Sequence, residues 1–278
     1  MRIKEYLKKH EKVVCIDSDG TALDTMNIKH IRCFGPCFVR EWGLGAHTAE
    51  ALRRWNEINL FEKTRGKNRF ITLCLILREY NGKYLQEDLM PLENWVQSGK
   101  ELSNKSLQKE IAKTQAPVLK KTLAWSEAVN AEISKLTAAD KRPFEGAKEL
   151  LVYANGKADI AVVSSAGGDA LRDEWERYGL DKFADVMCSQ EDGTKEQCLH
   201  LLISKGYDTK IILMVGDSFP DIDAAEECGV LFYPILAGKE KECWQELQSR
   251  YFDLFLHGGY AAAESEKKKE FYRNLNAE

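Results

Sequence analysis

Five short apolar runs rich in β-branched residues set the tightest limit on the fold: Val13 to Ile16, Ile160 to Val163, Val186 to Cys188, Ile211 to Val215 and Leu231 to Ile235. Runs this short, apolar without alternation, fit strands buried on both faces. Helical patterns lie between the later ones, and strands that alternate with helices build a parallel sheet covered on both sides. The first run stands apart from the rest. The long segment that follows it, Asp24 to Arg142, shows helical periodicity and almost no strand-like alternation. Phe70, Leu73, Cys74 and Leu77 keep helical spacing, and Asn81-Gly82 supplies a stop. Thr48 is expected to cap a helix reaching Leu60, Pro91 to open another, and Val118 to Leu136 to form a longer one. Gly35-Pro36 should break or kink the first helix of the segment. Glu264 to Glu270 reads as a charged helix face. The expectation is an α/β fold whose parallel sheet is interrupted, directly after its first strand, by an all-helical insertion.

Composition narrows the class. The 278 residues suit one large domain or two smaller ones, and 44% hydrophobic with 30% charged residues is ordinary for a globular chain. No apolar stretch approaches the roughly 20 residues of a membrane helix, and the opening MRIKEYLKKHEK has no apolar leader region. A cytoplasmic protein without a membrane partner is expected. The eight cysteines include no CxxC pair; Cys15, Cys74 and Cys188 lie in apolar runs, and Cys33 and Cys37 lack a matching partner set. The five histidines show no HExxH spacing, so cysteines and histidines read as structural. Between Asp24 and Arg142 there are 20 Lys/Arg against 14 Asp/Glu, and elsewhere 20 against 30. That excess is too dilute to argue for nucleic acid.

The chemistry is carried by what ends the apolar runs. Cys15-Ile16-Asp17-Ser18-Asp19-Gly20-Thr21 places two carboxylates at the end of the first run. Unpaired buried charge is costly, so two such groups suggest a cation, a phosphoryl group, or both. Gly20 allows a tight turn that aims both acids at the carboxyl edge of the sheet, where open α/β sheets bind ligands. The second run ends in Ser164-Ser165; a hydroxyl there is either a plain turn cap or a ligand at the same edge. The fourth ends in Gly216-Asp217, with Pro220-Asp221 opening a helix. The helix dipole accounts for Asp221 but not for Asp217. Lys195 starts a helix between the third and fourth runs, where a cation opposes the dipole.

Taken in order, Asp-x-Asp-Gly-Thr, strand-Ser, Lys and strand-Gly-Asp-x-x-x-Asp resemble the haloacid dehalogenase superfamily, and the likeness extends to Pro143-Phe144-Glu145-Gly146 leading a helix into the second strand. The subgroup most similar is phosphatase-like, with a helical cap inserted after the first motif, as in β-phosphoglucomutases and phosphoglycolate phosphatases. The resemblance implies a Rossmann-like core of residues 1–22 and 143–278 and a cap of residues 23–142. It implies a Mg²⁺-dependent phosphatase acting on a small phosphorylated metabolite. Asp17 would be the nucleophile and Asp19 the general acid and base, with Ser164 and Lys195 stabilising phosphoryl charge. Mg²⁺ would be held by Asp17, Asp217 and the backbone carbonyl of Asp19, with Asp221 orienting its waters. Gly20, Thr21 and Ser165 would complete the phosphoryl pocket. Dehalogenases and phosphonatases of the superfamily lack the second acid, so Asp19 selects phosphate ester chemistry.

Thr64 to Arg69 joins two expected helices with three cations, Arg65, Lys67 and Arg69. It reads either as a solvated basic turn or as a substrate-binding loop, and Gly66-x-x-Arg69 resembles the cap loop of β-phosphoglucomutases. A His of the mutase cap is replaced by Lys29, with His30 beside it. The alternatives are a phosphomutase of that type, a non-catalytic phosphoryl-binding protein on the same fold, and a receiver-type domain, for which the chain is too long.

Overall fold

Hydrogen-bonded registry fixes where each apolar run ends. In the computed structural model, which describes residue 3 and residues 5–276, five parallel strands form one sheet: β1 (Val13–Ile16), β2 (Asp159–Val163), β3 (Val186–Cys188), β4 (Ile212–Gly216) and β5 (Leu231–Pro234), in the order β3-β2-β1-β4-β5. Residues 1, 2, 4, 277 and 278, at the ends of the expected core segments, lie outside the described residues. β1 is central, pairing Val13 with Asp159 on one side and with Ile212 on the other. All four of its residues are buried, as a strand flanked and covered on every side requires. The expected runs match the strands to within a residue or so; Ile211 belongs instead to a 3₁₀ turn at Thr209–Ile211.

The chain forms two compact units, Met1–Met26 with Ala138–Glu278, and Asn27–Thr137. In the first, helices Gly168–Arg177, Lys195–Ser204 and Phe219–Cys228 connect successive strands after β2. Beyond β5 the chain turns into helices, and the last, Ala261–Asn274, covers the exposed edge of β5. Glu264 accepts from Phe232 N–H at 2.9 Å, and the Asn274 amide exchanges two bonds with the Ala237 backbone. Side chains thus complete hydrogen bonds that an edge strand would otherwise offer to another chain. At the opposite end of the sheet, buried Asp159 accepts from the backbone N–H groups of Lys9 and His10, from the His10 ring and from the Tyr207 hydroxyl.

The second unit is all-helical among its described residues. Phe34, Phe38, Trp42, Trp55, Phe70, Trp95 and Trp125 form its core, with ring centroids about 5–6 Å apart for Phe38 and Trp55 (5.3 Å) and for Trp55 and Trp125 (5.7 Å). Two expectations are refined in detail. Of the break or kink expected at Gly35-Pro36, the break does not occur: a π-turn at His30–Phe34 leads directly into the helix Gly35–Glu41. Proline cannot donate the regular backbone bond, and the wider turn before it absorbs the mismatch. Gly35 suits this close packing, since a Cβ would lie 3.0 Å from Leu52 and 3.2 Å from Trp55. Thr48 does not cap the helix Thr48–Asn56 but is its first residue. A 3₁₀ turn at Gly45–His47 leads into it, and the Thr48 hydroxyl donates back to Gly45 O at 2.9 Å.

Candidate active site

β1 keeps its pairing for one residue beyond the strand, as Asp17 N–H donates to Val215 O at 3.0 Å, and there the acid loop begins. Gly20 adopts φ 84°, a conformation that favours glycine, and its N–H reaches Leu23 O at 2.9 Å. Ala22 and Leu23 donate to Ser18 O at 3.0 and 2.9 Å, so the turn is tied by its own backbone. Asp17, Ser18 and Thr21 are buried, and Asp19 is half-buried. The Asp19 carboxylate accepts from the Thr25 hydroxyl.

β4 delivers the facing group. Asp217 follows Gly216, and Thr21 Oγ1 donates to Asp217 Oδ1 at 2.6 Å, with Asp17 Oδ2 at 3.4 Å. One hydroxyl therefore joins the ends of β1 and β4. Asp221, in the first turn of the helix Phe219–Cys228, folds back over the strand end: its Oδ2 accepts from Ser218 N–H at 3.1 Å and from the Ser218 hydroxyl at 2.6 Å. Asp221 thus caps its own helix start, as the third helical residue does in a capping box, while its N–H donates to Ser218 O at 3.0 Å. It explains Gly216, because a Cβ there would lie 2.3 Å from both Cβ and Cγ of Asp221.

Lys195, expected in the site from the family resemblance, occupies a helix start at which a lysine usually faces solvent. Thr194 caps its helix, accepting from Gln197 N–H at 3.3 Å, and Lys195 as first residue points inward. Its Nζ lies 3.0 Å from Asp17 Oδ1 and 2.5 Å from Asp221 Oδ1, with the side chain buried. Burial works against the ammonium, but Asp17 and Asp221 outweigh it and raise the Lys195 pKa. Asp17 is pushed well above the usual carboxylate range, first by burial and then by its neighbours Asp221 and Asp217, with Lys195 opposing the shift.

Asp17, Asp217 and Asp221 offer carboxylate oxygens that all lie within 4.8 Å of one another. One ammonium among three buried carboxylates leaves the cluster short of positive charge. An all-oxygen donor set of this kind fits a small hard cation such as Mg²⁺. The Asp19 side chain is not part of that cluster. Ser164, at the end of β2, is buried; its N–H donates to Cys188 O and its hydroxyl accepts from Ala166 N–H at 3.2 Å, while Ser165 is exposed.

In the helical unit the three cations of the Thr64 to Arg69 loop differ. Arg65 is fully buried and its Nη1 donates to Leu60 O at 2.9 Å. Lys67 is exposed. Arg69 lies over the Phe34 ring at 4.8 Å and donates to Asn130 Oδ1 at 2.7 Å. His30 stacks on Phe34 at 4.6 Å and accepts the Trp55 indole N–H at Nδ1, 3.2 Å away. The residues not anticipated are Ser218, Trp175 and Trp244. Ser218 had a signal, its spacing to Asp221; the two indoles reach the acid loop from distant helices and had none.

The chain can be compared with known proteins. No curated protein matches it. Among solved structures the fold is shared with a protein named by inference as a phosphoglycolate phosphatase from Lactobacillus delbrueckii subsp. bulgaricus, at 14% identity and TM-score 0.50, covering 87% of this chain and 92% of that one. A hydrolase from Pseudomonas syringae matches at 14% identity and TM-score 0.46, covering 84% and 89%. A protein named by inference as a β-phosphoglucomutase from Thermotoga maritima matches at 16% and 0.44, covering 80% and 84%. The family model for haloacid dehalogenase-like hydrolases matches residues 93–235, just over half of the sequence. That span carries Ser164, Lys195, Asp217 and Asp221, and β1 of the same sheet sets Asp17 against the last three. The chain belongs to the haloacid dehalogenase-like hydrolase family.

Proposed function

We propose that the protein is a phosphoric monoester hydrolase whose core site, built from Asp17, Asp19, Ser164, Lys195, Asp217 and Asp221, acts on a small phosphorylated metabolite. The observation that carries this reading is Lys195 Nζ set between Asp17 and Asp221, at 3.0 and 2.5 Å, at the carboxyl edge of the sheet. A phosphate ester resists attack because its negative charge repels nucleophiles, so a site for it needs a carboxylate nucleophile embedded in compensating positive charge. Asp17, Asp217 and Asp221 would hold Mg²⁺, with the Asp19 backbone carbonyl as a further oxygen. Bound there, the cation would offset the clustered acids and withdraw charge from phosphoryl oxygens.

In the first half-reaction an Asp17 carboxylate oxygen bonds to phosphorus as the ester P–O bond breaks, and Asp19 gives its proton to the departing oxygen. In the second, water attacks phosphorus and passes a proton to Asp19, which frees inorganic phosphate and restores the Asp17 carboxylate. Lys195, the Ser164 hydroxyl and backbone N–H groups directly after Asp17 stabilise charge on the spectator oxygens, while the N–H groups of Gly20 and Thr21 are engaged within the turn, on Leu23 O and Ser18 O. Ser165 adds a hydroxyl at the same strand end. Asp19, two residues beyond the nucleophile, favours ester hydrolysis over halide displacement.

Hydrolysis of an aryl phosphate tests this reading. Turnover that requires Mg²⁺ and disappears with EDTA supports it; full activity in chelator, or no hydrolysis of any phosphorylated metabolite in a broad panel, overturns it. A phosphomutase would release little inorganic phosphate in the same assay.

A further inference from the structure

Two fully buried indoles grip the acid loop from opposite flanks. Trp175, on the helix Gly168–Arg177 that follows β2, donates its Nε1–H to Ser18 Oγ at 2.9 Å. Trp244, on the helix Glu240–Glu246 after β5, donates to Thr21 O at 3.1 Å. Both tryptophans have no exposed surface, and Ser18 and Thr21 are also buried. Ser18 lies between Asp17 and Asp19, and Thr21 bears the hydroxyl that bonds Asp217. Each indole therefore holds the loop at a point adjoining an acid, without touching the acids through its own donor. Trp244 is itself confined: Gly146 sits against it at φ 96°, and a Cβ there would lie 2.7 Å from Trp244 Cβ.

We infer that Trp175 and Trp244 are positioning residues, a pair of indole clamps that fix the Asp17–Thr21 turn against the sheet edge; the inference rests on the phosphatase reading of this site. An aromatic ring alone would fill the same space. The N–H groups set the loop's place along and around the strand axis, and a misplacement of about 1 Å at a reacting centre can cost about a hundredfold in rate. A buried hydroxyl or carbonyl left without its donor is costly, which favours other placements of the loop over the clamped one.

The test uses Trp175→Phe, Ser18→Ala and their combination in the full-length protein, with Trp244→Phe in parallel. Phenylalanine keeps most of the ring volume and removes the donor. Each single change should lower kcat about ten- to a hundredfold with KM altered less than about twofold. The double variant should fall no further than the weaker single, because both changes break one bond. Deuterium exchange of the Trp175 indole, followed in ¹H–¹⁵N spectra without substrate, should be slow in the wild type and accelerate in Ser18→Ala. This readout is independent of turnover, so a wild-type protein that hydrolyses no phosphate ester fails the functional reading while the clamp is still judged by exchange. Should Trp175→Phe not fold, Ser18→Ala reports on the same bond. Multiplicative losses in the double variant, a change in KM alone, or an indole whose exchange ignores Ser18 would overturn the inference.

Discussion

Lys195 Nζ stands 3.0 Å from Asp17 Oδ1 and 2.5 Å from Asp221 Oδ1, so one buried cation ties the end of β1 to the first turn after β4. Removing one partner of a buried ion pair leaves uncompensated charge and costs about 3–5 kcal/mol. Lys195→Ala should therefore lower stability by about that amount in urea denaturation with EDTA, and Mg²⁺ should return part of it. A loss below about 1 kcal/mol in chelator would mean that Asp17 and Asp221 do not depend on Lys195.

Gly216 has a sharper role than strand punctuation. Gly216→Ala introduces a Cβ at 2.3 Å from Asp221 Cβ and Cγ, with the side chain held by Ser218 and Lys195. Asp221 must move, and kcat/KM should fall about a hundredfold together with Mg²⁺ affinity. Gly45→Ala, where nothing lies within 4 Å, serves as the control. Equal, small effects at both glycines would contradict the close packing.

Arg69 makes contacts within the helical unit that any reading of its loop must include. It stacks on Phe34 and donates to Asn130. A charged hydrogen bond contributes about 1.5–3 kcal/mol, so Arg69→Ala should lower stability by about that range in urea denaturation. A change under about 0.5 kcal/mol would assign Arg69 no structural role.

At the other end of the sheet Asp159 sets an acid limit. Burial works against its carboxylate, but the His10 backbone N–H, the Tyr207 hydroxyl, the His10 ring and the Lys9 backbone N–H outweigh it and lower its pKa. A depressed folded value contributes stability above the unfolded pKa of about 3.9, and that stability is lost as pH falls through the folded value. Tm should therefore drop steeply below about pH 4, and Asp159→Asn should lower Tm at neutral pH while flattening the acid limb. An acid limb unchanged by the substitution would rule out Asp159 as its source.

Much of the core was readable because its strands are apolar on both faces. Val13 to Ile16 and Val186 to Cys188 fit a parallel, doubly covered sheet, with all but Met187 of these residues buried, and the acids stand out because each ends such a run. Lys195 could not be oriented from its local sequence, since a first-turn lysine usually faces water; the family resemblance alone aimed it at the site, where it pairs with Asp17 and Asp221. Contacts spanning long sequence separations, Trp175 with Ser18 and Trp244 with Thr21, leave no trace in local periodicity. The π-turn at His30–Phe34 was hidden for a different reason. Pro36 announces a disturbed helix, but local sequence does not say whether the helix stops or widens, and at Gly35 it runs on close to Leu52 and Trp55.

Asp17 as the phosphoryl acceptor is the central claim, and one experiment reads it directly. Wild-type and Asp17→Asn proteins are mixed with a labelled phosphate ester and Mg²⁺, quenched in acid within the first turnover, digested and mapped by mass spectrometry. The wild type should carry an acid-stable, hydroxylamine-sensitive phosphoryl group on the peptide holding Asp17, and Asp17→Asn should carry none and turn over no substrate. A phosphoryl group on any other residue, or continued hydrolysis by Asp17→Asn, would contradict the account.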